Sequence, residues 1–143
     1  MTPLLSLQRS STEVLSQFLP IAFDDAVWLS KIEEALPLYR RVADVLGEAN
    51  CIKSLGHIAF AEQRPEEARK EFFDALKLYE RISEPYSIGW SHIRLARLAP
   101  TPAERDEHLK VAREVWKRID RPDLIRRMEK EFNITEGNDA TNS

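Results

Sequence analysis

The chain has 143 residues, of which 43% are apolar and 31% charged, and its formal net charge is −3. This length fits one domain that buries about 70% of its unfolded surface without a metal or disulfide staple. The charge is too mild, and the basic residues too scattered, to point to nucleic acid. Cys51 is the single cysteine, so an internal disulfide and a multi-cysteine metal site are excluded.

The opening Met1-Thr2-Pro3-Leu4-Leu5-Ser6-Leu7 has no basic n-region and no long apolar core. No signal peptide or membrane span is expected, and the chain is read as cytoplasmic. Asn133-Ile134-Thr135 fits a glycosylation sequon, but without a secretion signal it is read as a chance match. Ser10 and Glu13 form a capping box before a first helix with Val14, Leu15, Phe18 and Leu19, which Pro20 ends. A second helix is predicted from about Asp24, with Val27, Trp28, Ile32, Ala35, Leu36, Tyr39 and Val42 at helical spacing. Pro37 inside it predicts a kink near Glu33 rather than a break. Gly47 reads as the next punctuation. A third helix then runs from about Glu48 to Ala61, with Ala49, Ile52, Leu55, Ile58 and Ala59 inward.

Gln63-Arg64-Pro65 reads as a turn with Pro65 at the first helical position, followed by Glu66 and Glu67 opposing the dipole. The fourth helix carries Ala68, Phe72, Ala75, Leu76, Tyr79 and Ile82. Glu84-Pro85-Tyr86-Ser87 reads as a turn, and the fifth helix spans about Ser87 to Ala99 with Ile88, Leu95, Ala96 and Leu98 in the core. Thr101, Pro102 and Glu104 supply a cap, a first position and a box for the sixth helix, which buries Leu109, Ala112, Val115, Trp116 and Ile119. A last helix, about 122–133, has Leu124, Ile125, Met128 and Phe132 on one side and charges around the rest. That pattern suits a capping helix. Residues 135–143 are polar and read as a disordered tail. No strand is predicted.

The chain also matches itself. Ala35-Leu36-Pro37-Leu38-Tyr39-Arg40-Arg41-Val42 returns 40 residues later as Ala75-Leu76-Lys77-Leu78-Tyr79-Glu80-Arg81-Ile82. A third copy, Ala112-Arg113-Glu114-Val115-Trp116-Lys117-Arg118-Ile119, comes after 37 residues, so three are missing between copies. A fixed period in this range is the signature of a helical solenoid. Tyr39, Tyr79 and Trp116 align and are expected in the core.

Paired helices at this period resemble tetratricopeptide repeats, in the variant with a spacing of about 40 residues. The middle copy carries the full pattern in Leu55, Gly56, Ala59, Ala68, Phe72 and Ala75. Its small residues let two backbones approach, and Phe72 fills the space between them. The third copy reads Leu95, Ala96, Ala99, Arg105, Leu109 and Ala112, with Arg105 where the family has a small residue. The first reads Leu15, Ser16, Leu19, Trp28, Ile32 and Ala35. The resemblance implies an all-α fold: a right-handed α-solenoid of three helix hairpins (about 9–42, 48–82 and 87–119) plus the capping helix, about seven helices in one domain over residues 1–134.

The resemblance also implies a concave face lined by the first helix of each pair, used to bind peptides or helices. On the third helix, Asn50, Lys53, His57 and Phe60 share one side. On the fifth, Trp90, Arg94 and Arg97 do. Arginine suits bidentate capture of a carboxylate, and Lys53 and Arg94 match two places at which some family members clamp a C-terminal carboxylate. The expected partner is a protein or peptide with acidic residues or such a terminus. A solvated helix face with salt bridges to neighbours competes with this reading. So does a wedge role for a partly buried Trp90.

The catalytic inventory is thin. His57, His92 and His108 fall on three helices. Cys51 and His57 are six residues apart, about 240° around a helix, and Cys51 reads as a small buried apolar residue. No Gly-rich phosphate loop, HExxH motif or serine elbow is present. The sequence predicts no enzyme, no catalytic residue, no metal and no cofactor. It predicts an interaction module or adaptor, with a self-assembling structural or regulatory piece, a homo-oligomer, as the alternative.

Overall fold

The structure is a computed structural model that describes residues 25 to 134. The predicted first helix around residues 10 to 19, the Asp24 cap and the 135–143 tail lie outside the described residues. Within them there are six helices: α1 (Asp25–Arg41), α2 (Val45–Ala61), α3 (Pro65–Arg81), α4 (Pro85–Arg97), α5 (Pro102–Arg118) and α6 (Pro122–Glu131). No strand occurs among the described residues. The all-α class is therefore as expected. No helix of the described residues is long and apolar enough to cross a membrane.

Among the described residues one turn is used five times. Ala43, Gln63, Ser83, Asp120 and Asn133 each have φ between 51° and 60°. The residue after each donates its N–H to the carbonyl five positions back: Asp44 to Tyr39, Arg64 to Ala59, Glu84 to Tyr79, Arg121 to Trp116 and Ile134 to Glu129, at 2.8–3.1 Å. This left-handed closure satisfies helix-end carbonyls that otherwise lack partners. Because the turn recurs, α2, α3 and α4 begin at Val45, Pro65 and Pro85, twenty residues apart each time. The end of α4 departs from the pattern. Leu98 and Ala99 make short-range bonds to Leu95 and Ala96 with no left-handed residue. That is where the sequence repeat loses three residues.

The caps correct two expectations. Gly47 does not break the chain: Asp44 caps α2, its Oδ1 accepting from the Gly47 N–H at 2.8 Å. Gly47 is inside the first turn because a Cβ there would run into the Tyr39 ring. Nor is Pro85 in a turn. It opens α4, and the Glu84 carboxylate accepts from the Tyr86 and Ser87 N–H groups. The α5 start is as expected, with Thr101 Oγ1 accepting from the Glu104 N–H at 3.2 Å. α1 runs unbroken through Pro37.

The chain falls into two compact units, one through Leu78 and the other from Tyr79. In the first, Ile32 on α1 and Cys51 and Ile58 on α2 form a buried cluster, with Ala35, Leu36, Tyr39 and Leu55 packed against it. Gly56, Ala59, Ala68, Phe72 and Ala75 are all buried, as the close-approach pattern requires. In the second, Ile93 and Ala96 (α4), Leu109, Ala112 and Trp116 (α5), and Leu124 and Met128 (α6) form one core. Trp90, Ile119, Ile125, Phe132 and Ile134 pack against it. Tyr79 and Trp116 are fully buried as expected, while Tyr39 is half-buried.

Candidate functional site

Three of the six predicted binding residues lie on α2, in the first unit. Asn50 and His57 are exposed and Lys53 is half-buried. The backbone carbonyl of Asn50 accepts from Ser54 Oγ at 3.0 Å. His57 packs against Phe72 in a T-shaped contact, ring centres 5.1 Å apart, so the buried core fixes its imidazole from one side.

The other three lie on α4, in the second unit, in different surroundings. Trp90 is half-buried and packs edge-on against Trp116 at 5.1 Å and Tyr86 at 6.5 Å. The Arg127 guanidinium sits over its ring at 5.1 Å, a cation–π arrangement. Trp90 Nε1 is buried without a hydrogen-bond acceptor. The ring is thus part of the packing among α4, α5 and α6 and is not an open aromatic platform. Arg97 is also committed: its Nε and Nη2 donate to the two oxygens of Glu131 on α6 at 2.6 and 2.7 Å. This bond raises the Arg97 guanidinium and lowers the Glu131 carboxyl. Both side chains remain about 40% exposed, so the pair is a surface clasp.

Arg94 has the most distinctive environment of the six. It is half-buried, and burial pushes its guanidinium down, opposed by the Tyr79 and Tyr86 phenols and reinforced by Arg97. Tyr79 shows the counterpart: burial raises its phenol and Arg94 opposes. A cation set among phenols in a partly dry place interacts more strongly with an incoming anion than a fully solvated one does.

The sequence placed His92 and His108 on separate helices and gave them no joint role. The fold brings them together. Their Nδ1 atoms stand 3.0 Å apart, from α4 to α5. The signal was present: each lies eight residues from Pro100, and residues equidistant from a turn meet when two helices fold back on each other. Two imidazoles supply half of a tetrahedral set, and no group of three His, Cys, Asp or Glu that could hold a metal occurs among the described residues. Cys51 is buried, and burial raises its thiol, the environment of an inert packing residue.

No protein-family model, curated protein or solved structure matches this chain.

Proposed function

We propose that this chain is a protein-interaction module, an adaptor that binds an acidic peptide or helix through the first helices of its repeated pairs. The observation that carries the reading is the recurrence of one turn, with helices beginning at Val45, Pro65 and Pro85, twenty residues apart each time. Repeated helix pairs present long faces of side chains, and such faces serve recognition. In this reading the chain is tetratricopeptide-like: three hairpins wind into a right-handed solenoid closed by α6. Arg94 is the principal anchor for a carboxylate, and Lys53, Asn50 and His57 supply weaker polar contacts. Arg97 contributes little, because its fork already holds Glu131. The role involves no catalysis and no cofactor, and it is exercised in the cytoplasm.

A second reading, self-association, is favoured by α1. Val27 and Trp28 are each 49% exposed, Leu38 is 55% exposed, and Val42 just beyond the helix is 70% exposed. Apolar side chains this open often mark a contact surface.

The test is a fluorescence-polarisation screen of acidic peptides, each made with a free and an amidated C-terminus. Arg94→Glu should weaken the best peptide at least about tenfold, the scale of one lost charge-assisted bond. Arg97→Glu should change it by less than about threefold. Peptides that bind equally to wild type and Arg94→Glu would sink the reading. A mass that rises with concentration, and falls on Trp28→Lys with Leu38→Lys, would favour self-association.

A further inference from the structure

The imidazoles of His92 and His108 face each other through Nδ1 at 3.0 Å, with ring centres 5.2 Å apart and planes inclined by 41°. His92 is 9% exposed, and His108 is half-buried. A hydrogen bond between two ring nitrogens holds one proton: one ring donates N–H and the other offers its lone pair. We propose that this contact is an acid-sensitive pin, which holds α4 against α5 while one of the two facing nitrogens is unprotonated and releases them when both carry a proton.

The protons can be followed one at a time. In the neutral pair, one ring is protonated at Nδ1 and donates, while the other is protonated at Nε2 and accepts. A first added proton goes to the unprotonated Nε2 of the donor ring and leaves the bond intact. A second can go only to the accepting Nδ1. It replaces the lone pair with an N–H, so that two N–H groups and two positive charges face each other. His92 is the ring that resists charge: burial first and His108 second lower it to about 4. His92 is therefore the acceptor and His108 the donor.

Charged groups stand on each of the packed elements. On α4, Arg94 lies among the Tyr79 and Tyr86 phenols and Arg97 holds Glu131. On α5, Glu104 precedes His108 by one turn, Arg105 pairs with Asp106, and Arg113 with Glu129 of α6. On α6, Glu129 and Glu131 are taken by those two arginines. At the end of α3, the Tyr79 phenol faces Arg94.

The sign follows. An open α4–α5 pair returns His92 to its ordinary value near 6.5, so the open form binds the proton more tightly. The closed form is fully favoured above pH 6.5 and loses its advantage as the pH falls towards 4. Closed relative to open should fall about 30-fold between pH 7.5 and 5, and about 300-fold in all. This inference does not depend on peptide binding.

The test is nitrogen-15 NMR of the histidine rings together with amide exchange in α4 and α5, corrected for the pH dependence of exchange chemistry. At pH 7 His92 should be the neutral Nε2–H tautomer. Protection should fall about 30-fold from pH 7.5 to 5 in wild type and less than about threefold in a His92→Leu, His108→Leu double variant. Carboxylates titrate in both chains and cancel in the comparison. If the double variant does not fold, His92→Gln removes the low-titrating ring and gives the same comparison. His92 titrating near pH 6.5 with protection unchanged, or equal losses in wild type and variant, would overturn the proposal.

Discussion

Phe72 on α3 occupies the space that a Cβ on residue 56 of α2 would need: an ideal Cβ built on Gly56 lies 2.6 Å from both Cδ1 and Cε1 of the ring. Phe72 is 4% exposed and its ring also packs against the His57 imidazole in a T-shaped contact, so it has little room to retreat. Gly56→Ala should destabilise the chain by about 1–3 kcal/mol, the range for overpacking a filled core, despite the higher helix propensity of alanine. Urea unfolding checks this, and a loss below about 0.5 kcal/mol would mean that the two helices separate freely.

The repeated turn places non-glycine residues in the left-handed region, which costs an L residue about 1–2 kcal/mol. Ala43 and Gln63 are exposed and sit there at φ 57° and 60°. Ala43→Gly and Gln63→Gly should each raise stability by up to about 1 kcal/mol, the strain relieved less the added freedom of the unfolded chain. Asn133→Gly should gain less, because asparagine tolerates this conformation. Thermal melts of the three variants give the ranking.

Thr101 caps α5 through its hydroxyl. Thr101→Ala should cost about 1 kcal/mol and Thr101→Ser much less. Equal losses in the two variants would assign the effect to packing of the threonine methyl group instead.

Arg97 and Glu131 should couple by only about 0.5–1 kcal/mol in a double-mutant cycle, since both are well exposed. Arg97 holds the Glu131 carboxyl below its ordinary value. The coupling should therefore be present above the ordinary carboxylate range and vanish as the pH falls through the lowered value. Repeating the cycle at neutral and strongly acidic pH checks the sign.

Cys51 is buried with a raised thiol. Its labelling by a disulfide reagent at pH 8 should be at least about 100-fold slower in the folded chain than in denaturant. Rapid labelling would show that the α1–α2 cluster opens readily.

Helix identity was legible because apolar spacing and proline placement are local. Pro65, Pro102 and Pro122 open helices as read, and the Ala–Phe–Ala series around Phe72 is buried as read. The boundaries at Gly47 and Pro85 were misread because the true turn residues, Ala43 and Ser83, are not glycine. Their left-handed backbone is imposed by the helix-end hydrogen bonds they complete and has no composition signal. Which polar groups meet was settled by folding back. Tyr39 and Gly47 lie four residues either side of Ala43, Gly56 and Phe72 eight either side of Arg64, and His92 and His108 eight either side of Pro100. Such mirror pairs can be read once a turn is located.

The sequence by itself determined the helices, their repeat and the small residues between them, because these follow from the periodicity and volume of neighbouring side chains. Only the tertiary structure decided that Arg97 is engaged by Glu131, that Trp90 is packed among Trp116, Tyr86 and Arg127, and that two histidines meet through their Nδ1 atoms. The physical reason is that a side chain's charge, exposure and hydrogen-bond partner are set by what the neighbouring helix brings within about 3 Å. That is a property of the closed hairpin rather than of any one of its helices.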